Sequence, residues 1–179
     1  MTFPERAVAR PTLSTEDHIM TDRRRFLTLL AGTAFAGSTL SLSARAAAPV
    51  DLEIFKSPGC GCCEGWADLA RARGHVVTMR EFTDPDAEKA ALGVPGALAS
   101  CHTVRAEGYV FEGHVPFEAL DAVLRDRPAI AGLAVPGMPM GSPGMGDDPD
   151  ARFDVIAFGG AAGDGRVFYR AGTATPFAS

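Results

Sequence analysis

The residues that point most directly to chemistry are three cysteines within four consecutive positions. The run Cys60-Gly61-Cys62-Cys63 gives its outer two cysteines C-x-x-C spacing and adds a third sulfur between them. A loop with glycine and proline precedes the run and a helical pattern follows it, so we expect the sulfurs at a helix N-terminus. Unpaired N–H groups and the helix dipole stabilise a thiolate there, and the thiolate is the form that binds metal or attacks a disulfide.

The third sulfur sets this run apart from a simple dithiol. A thiol–disulfide oxidoreductase needs two sulfurs here, whereas three soft sulfurs in one turn suit copper(I), which prefers thiolate and thioether ligands. Two other interpretations stay open at this point. One is a structural disulfide with a spare thiol. The other is a zinc site, which usually needs a second, distant cysteine pair where this chain offers only Cys101-His102.

Three further sulfurs lie in a segment rich in glycine and proline, at Met138, Met140 and Met145. Methionines that fill a core follow a helix or strand period, and these three do not. Thioethers bind copper(I) and do not oxidise to disulfides, so the three side chains are candidate metal ligands. A hydrophobic loop that covers the sheet is the alternative, and the two roles are compatible.

The elements that must position these residues alternate between strands and helices. Asp84 is a candidate N-cap, with Pro85 at the first helical position, and residues 132–150 follow neither a helix nor a strand period. The order β-α-β-α-β-β-α predicts an α/β fold, a thioredoxin-like domain with a Met/Gly/Pro-rich loop and a C-terminal β extension. The patterns predict strands over 50–55, 75–82, 101–106, 109–112, 153–158 and 166–169, and helices over 64–73, 85–92 and 116–125.

A thioredoxin-like fold would bring distant residues to the cysteine run. In that fold the loop before the third strand packs beside the C-x-x-C turn, so we expect Cys101 to join the other three cysteines in space. His102, or His114 just before the third helix, could then add an imidazole ligand. For His114 a capping or core role is the alternative.

The first 46 residues have the pattern of a cleavable export signal. The run Arg23-Arg24-Arg25-Phe26-Leu27 precedes a weakly apolar stretch and resembles a twin-arginine signal. Small residues at Ala44 and Ala46 predict cleavage after Ala46, and Met20 is a candidate for the true start. We therefore expect a signal peptide over 1–46, a metal-binding domain over 47–179 and a periplasmic location.

Composition and charge exclude several classes of protein. The chain has 179 residues, of which 46% are hydrophobic and 22% charged, so it is not a disordered protein. A formal net charge of −5 argues against a nucleic-acid partner, and we expect no membrane association after cleavage. All four cysteines lie beyond residue 46. In an oxidising compartment they must be paired, metal-bound or redox-active.

Four motifs occur in order between residues 52 and 169: Lys56-Ser57-Pro58-x-Cys60-Gly61-Cys62-Cys63, Ala99-Ser100-Cys101-His102-Thr103, Gly108-Tyr109-Val110-x-Glu112-Gly113-His114-Val115-Pro116 and Gly132-Leu133-Ala134-Val135-Pro136-Gly137-Met138-Pro139. Together they resemble the CopG-type family of exported metal-binding proteins, long described as a domain of unknown function. The resemblance implies a thioredoxin-like fold, a periplasmic setting, association with copper-resistance systems and copper bound through cysteines. It also implies that His114 and the methionine segment lie near the metal. The ligands that it implies are Cys60, Cys62, Cys63 and Cys101.

Two functional hypotheses follow. The first is a copper-handling protein that binds more than one copper(I) ion through bridging thiolates and sequesters, oxidises or transfers copper(I) in the periplasm, where other copper-handling proteins would be its partners. The second is a thiol–disulfide oxidoreductase in which Cys60 is the exposed nucleophile and Cys63 the resolving thiol. A redox-active copper site would partly satisfy both hypotheses.

Overall fold

The computed structural model describes residues 48–174 and 176–178, and within them seven strands form one mixed sheet. The strands are β1 (Asp51–Lys56), β2 (Val76–Glu81), β3 (His102–Ala106), β4 (Tyr109–Glu112), β5 (Gly132–Ala134), β6 (Phe153–Phe158) and β7 (Arg166–Ala171). They lie across the sheet in the order β2-β1-β3-β4-β5-β6-β7. The predicted signal peptide over residues 1–46 falls outside the described residues and stays a prediction.

The first four strands carry the functional residues to one end of the sheet. Strand β1 pairs parallel with β2 and antiparallel with β3, and β3 pairs antiparallel with β4. In this register Lys56, the last residue of β1, lies opposite His102, the first residue of β3. The loop after β1 and the loop before β3 therefore leave the sheet side by side. The first loop ends at Cys60 and leads directly into Cys62 and Cys63 in the first turn of a helix, and the second loop carries Cys101.

The helices connect the strands in the predicted order. They are α1 (Gly61–Ala72), α2 (Pro85–Ala91) and α3 (Phe117–Asp126). Asp84 is the N-cap of α2, where its side chain accepts a hydrogen bond from the Ala87 N–H, as predicted. Helices α1 and α3 pack their apolar faces on one side of the sheet, where Trp66, Phe117 and Leu120 are among the largest fully buried side chains.

A smaller apolar cluster covers part of the opposite side of the sheet. Val94 and Phe158 are buried in it, and Val110 of β4 packs against them. Neighbouring Phe111 belongs to the main core instead, because successive residues of a strand point to opposite faces. The sheet is therefore covered on both faces near β4, which permits buried polar side chains on either side of that strand.

Strand β5 is the element that the sequence analysis missed. Residues 132–150 were predicted to lack regular structure, but Gly132–Ala134 pair parallel with β4 and antiparallel with β6. Three residues are too few to show a period, and tertiary packing rather than local pattern makes them a strand. The mixed α/β class and the element order are confirmed apart from this strand, whereas the thioredoxin-like assignment stays a prediction.

Within the described residues, no helix is long and apolar enough to cross a membrane.

Candidate metal centre

The cysteine run forms the start of helix α1. Cys60 is the N-cap residue and the helix begins at Gly61, three residues earlier than the sequence pattern predicted. The apolar period used for the prediction begins only at Trp66, so it could not reveal the first turn. Because Cys60 and Cys63 occupy the N-cap and third helical positions, their side chains lie on the same side of the first turn.

The four cysteine sulfurs lie together. Cys60 and Cys63 form a disulfide, with Cα atoms 5.4 Å apart, and the Cys62 Sγ lies 3.5 Å from the Cys60 Sγ. Cys101 arrives from the loop before β3, and all four Sγ atoms lie within 4.8 Å of one another. The structure therefore brings together the residues that the C-x-x-C spacing and the predicted fold had assigned to one site.

Cys101 belongs to a second group of potential ligands as well. Its Sγ lies 3.0 Å from the Nε2 of His114 and 3.2 Å from the Nδ1 of His102. Both imidazoles are fully buried, and their rings meet edge to face. Cys101 thus connects a sulfur-rich half of the site to a nitrogen-rich half.

The tautomer of His114 follows from its second contact. Its Nδ1 lies 2.7 Å from the carbonyl oxygen of Pro143, which can only accept a hydrogen bond, so Nδ1 carries the proton. The Nε2 atom then presents a lone pair toward the Cys101 sulfur. A metal-ligating histidine typically has this arrangement, in which a carbonyl holds one nitrogen and leaves the other free to bind the ion.

His102 has a different environment. Its Nε2 is buried and has no hydrogen-bond partner anywhere in the part of the chain that the structure describes. Trp66 packs beside the imidazole, with ring centroids 5.5 Å apart, and the indole N–H donates to the Val115 carbonyl instead. A buried nitrogen without a partner is costly and indicates a functional constraint at this position.

Burial sets the protonation of the site at neutral pH. Burial, reinforced by neighbouring Cys62, raises the pKa of the Cys101 thiol to about 12. Burial, together with the nearby His114 and Lys89, lowers the pKa of His102 to about 3. Burial also lowers the pKa of His114, although its hydrogen bond to Pro143 opposes the shift. The protein without metal therefore holds a neutral thiol between two neutral imidazoles, and an ion that binds Cys101 must displace its proton.

The methionines lie differently from the cysteines. Met138 and Met140 are 53% and 56% exposed, and Met145 is half-buried. Their predicted role as ligands stays a prediction. The segment that contains them instead contacts the site through its backbone, at the Pro143 carbonyl and at Gly144.

Gly144 packs against the first turn of α1. A Cβ atom at this position would lie 2.6 Å from the backbone nitrogen of Trp66 and 2.7 Å from the Cys62 carbonyl oxygen. The φ of Gly144, +87°, is in the region that favours glycine. This close approach places the loop over the cysteine turn and lets Pro143 reach His114. The loop therefore acts as a wall of the site.

Two contributions to the site were not predicted from the sequence. The Pro143 carbonyl is a main-chain atom, and no residue type indicates its role. Glu112 and Lys89 form a buried ion pair beside the Cys101 loop, with Nζ and Oε1 2.6 Å apart. A charged residue in a short strand and another in an amphipathic helix are typical of exposed positions, so only the tertiary structure reveals that they are buried.

The donor set fits a soft metal ion. Four sulfurs and two imidazoles converge, and the described residues include no carboxylate in either cluster of potential ligands. Thiolate and imidazole ligands favour copper, zinc or iron over magnesium or calcium.

Comparisons with known proteins point in the same direction. The family described as "Protein of unknown function, DUF411" matches residues 98–145, which include Cys101, both site histidines and the methionine loop. Two solved structures, described as copper resistance protein CopG in form 1 and form 2, are each similar to the chain at 36% sequence identity and a TM-score of 0.63. Each match covers 69% of this chain and 98% of the solved one. No curated protein matches the chain.

Proposed function

The chain belongs to the CopG family of copper resistance proteins, and from this premise we propose that it binds copper(I) through its clustered cysteines as part of copper resistance. The observation that carries the proposal is the convergence of four cysteine sulfurs within 4.8 Å. Copper(I) prefers thiolate ligands at low coordination number, and sulfurs this close can bridge neighbouring ions. We therefore propose that the site takes up at least two copper(I) ions.

The proposed ligands are the thiolates of Cys60, Cys62, Cys63 and Cys101, with His114 as a nitrogen ligand on the far side of Cys101. The tautomer of His114 supports this role, because its Nε2 lone pair already faces the Cys101 sulfur. His102 is the second proposed nitrogen ligand, through the Nδ1 atom that lies beside the same sulfur. The exposure of Met138 and Met140 favours a role outside this ligand set.

The redox state of the site would control its capacity for copper. With the Cys60–Cys63 disulfide closed, two free thiols remain, at Cys62 and Cys101. Reduction of the disulfide takes up two electrons and two protons and supplies two further thiols. We propose that the reduced protein is the form that binds its full complement of copper(I), and that the oxidised form binds less.

A thiol–disulfide oxidoreductase is the second candidate function, and the disulfide itself favours it. The disulfide joins the two cysteines of a C-x-x-C run at the start of a helix, where a thiolate is stabilised. Cys60 is partly exposed whereas Cys63 is fully buried. That difference fits an attacking thiol that partners can reach and a resolving thiol that they cannot.

We propose that the protein acts in the periplasm after removal of residues 1–46 by a twin-arginine route, with copper ions and other copper-handling proteins as partners. The arginine pattern and the small residues before position 47 support this location. Replacing Arg23 and Arg24 by lysine tests the export route. We expect the precursor to stay in the cytoplasm, and unchanged export would contradict the route.

Anaerobic titration of the reduced, metal-free protein with copper(I) tests the proposed function. We expect at least two equivalents per chain, with fewer bound by the protein whose disulfide is intact. Absence of uptake by the reduced protein would favour the oxidoreductase.

Cys62→Ser separates the two functions, because Cys62 lies outside the disulfide. The variant should bind copper(I) more weakly while thiol–disulfide exchange stays nearly unchanged. Full copper affinity in this variant would contradict the proposed role of the third cysteine.

A further inference from the structure

A buried ion pair lies beside the loop that carries Cys101. The Glu112 side chain, on β4, is fully buried, and the Lys89 side chain, on α2, is 7% exposed. The Lys89 Nζ lies 2.6 Å from the Glu112 Oε1 and 2.9 Å from the Thr103 Oγ1. Thr103 in turn donates to the Glu112 Oε2, so the two charges have polar partners without water.

Fold stability does not account for this pair by itself. Taking two charges out of water is costly, and apolar replacements of similar volume are often neutral or stabilising. What the pair contacts is therefore informative. Besides Lys89 and Thr103, the Glu112 carboxylate accepts one backbone hydrogen bond, from the Ser100 N–H at 2.6 Å. Ser100 is the residue before Cys101.

The three consecutive residues 112–114 contact the three consecutive residues 100–102. Glu112 accepts from the Ser100 N–H, the Gly113 N–H donates to the His102 carbonyl at 2.8 Å, and His114 meets the Cys101 sulfur. These contacts fix the backbone on both sides of Cys101 and the direction of its side chain.

The two segments approach each other closely, and the fit depends on a glycine. A Cβ atom on Gly113 would lie 2.5 Å from the Ser100 hydroxyl oxygen and 2.7 Å from the Val135 carbonyl oxygen. The Ser100 hydroxyl also donates to the Gly137 carbonyl, at the start of the methionine loop. The Ser100–Cys101 segment is thus held from the strand side and the loop side together.

We propose that Glu112 is a positioning residue for the metal centre, and that it holds the Cys101 thiol within reach of both the cysteine turn and His114 through the Ser100 N–H. Lys89 supplies the countercharge that a buried carboxylate requires. This inference rests on the proposed function for its consequence in copper binding, but the placement of Cys101 can be measured without copper.

Two double variants separate positioning from stability. Lys89→Met/Glu112→Leu removes both charges and the acceptor, whereas Lys89→Met/Glu112→Gln removes both charges and keeps an oxygen that can accept from the Ser100 N–H. The test is the alkylation rate of Cys101 in the metal-free disulfide form, followed by peptide mass mapping with Cys62 in the same molecule as reference. Urea unfolding of both variants reports their stabilities separately.

We expect about tenfold faster alkylation of Cys101 in the leucine variant, the factor that the loss of one buried hydrogen bond allows. The glutamine variant should return close to the wild-type rate. Copper(I) affinity should fall about 10- to 100-fold in the leucine variant, as is typical when a residue that orients a metal ligand is removed, and should recover in the glutamine variant. Equal Cys101 rates in the two double variants would overturn the proposal.

Ser100 offers a second test that keeps both Lys89 and Glu112 in the chain, in case the leucine variant does not fold. Ser100→Pro removes the N–H, and Ala99, with φ −61° and ψ 143°, already has the conformation that precedes a proline. Ser100→Ala removes only the hydroxyl and is the matched control. We expect about tenfold faster Cys101 alkylation in the proline variant than in the alanine variant. Equal rates would overturn the proposal.

The outcomes distinguish this inference from the proposed function. If the wild-type protein binds no copper(I) while the alkylation rates differ as expected, the proposed function fails and the positioning role stands. If copper(I) binds and the rates do not differ, the positioning role fails alone.

Discussion

The cysteine turn at the start of α1 and the methionine loop approach the same site in opposite ways. The turn formed by Cys60, Cys62 and Cys63 brings its side chains inward, so that its three sulfurs lie within 4.8 Å of one another and of the Cys101 sulfur. The methionine loop, which runs from Gly137 to Met145, leaves Met138 and Met140 more than half exposed. Its backbone reaches the site instead, through the Pro143 carbonyl and Gly144.

The difference shows that residue type alone does not identify ligands. The cysteines converge because the end of β1, which leads into the first turn of α1, lies opposite the start of β3 in the sheet register. The methionines lie in a loop whose path is fixed by a close backbone contact with α1. In this account the cysteine turn provides the donors, and the methionine loop orients one histidine and closes the site.

Cys101→Ser should have the largest effect on copper binding, because Cys101 belongs to both groups of potential ligands. We expect copper(I) affinity to fall by more than the roughly 10- to 100-fold that is typical of residues outside the coordination sphere. Competition with a chromogenic copper(I) chelator measures the change. An unchanged affinity would show that Cys101 is not a ligand, and would contradict the claim that the converging cysteines provide the donors.

Gly144→Ala should undock the methionine loop. The new methyl group would lie less than 3 Å from the backbone nitrogen of Trp66 and from the Cys62 carbonyl oxygen, in a backbone conformation that disfavours alanine. We expect the free energy of unfolding to fall by about 2 kcal/mol, measured by urea denaturation.

Gly96→Ala is the matched control for that variant. It lies in a short 3-10 helix with open space around its Cβ position, so its effect should stay within about 0.5 kcal/mol. Equal stabilities of the two variants would mean that the loop does not depend on this contact.

Acid should destabilise the protein without metal, through its buried histidines. Burial lowers the pKa of His102 from 6.5 to about 3, so this imidazole stays neutral in the folded state while the unfolded chain takes up a proton near pH 6.5. The unfolded state then binds more protons, and the free energy of unfolding should fall by about 1.4 kcal/mol for each pH unit below 6.5. His114 acts in the same direction.

Urea unfolding between pH 7 and pH 4.5 measures this slope. His102→Leu should reduce it by about one proton, since leucine does not titrate. Identical slopes in the variant and the wild type would show that His102 does not titrate as its burial implies.

Replacing Met138 and Met140 together by leucine should have the smallest effect. Leucine preserves volume and removes only the thioether, and the two side chains are exposed. We expect copper(I) affinity to change by less than about twofold, or about 0.4 kcal/mol, in the same chelator competition. A loss of about tenfold or more would instead support the prediction that thioethers are ligands.

Much of the fold follows from local sequence signals. The strands that carry the site have clear apolar patterns, and Asp84 with Pro85 marks the start of α2 within one residue. The hairpin between β3 and β4 turns at Glu107-Gly108, where both residues have positive φ. Strand β5 could not be predicted, since its three residues are a strand only because β4 and β6 lie on either side.

The candidate site was predictable to the extent that chemistry resides in side chains of unusual type. The cysteine run is such a signal, and the predicted order of elements was enough to bring Cys101 toward it. The role of the Pro143 carbonyl was not predictable, because every residue has a main-chain carbonyl. The burial of Glu112 was not predictable either, because it depends on packing between α2 and β4 that no local pattern records.

Copper X-ray absorption of the reduced protein loaded with copper(I) tests the central claim most directly. We expect a coordination sphere dominated by sulfur, with scattering between neighbouring copper ions that persists when Met138 and Met140 are leucine and is lost in Cys101→Ser. A coordination sphere of nitrogen and oxygen alone, or sulfur scattering that disappears with the methionines and not with Cys101, would contradict the account.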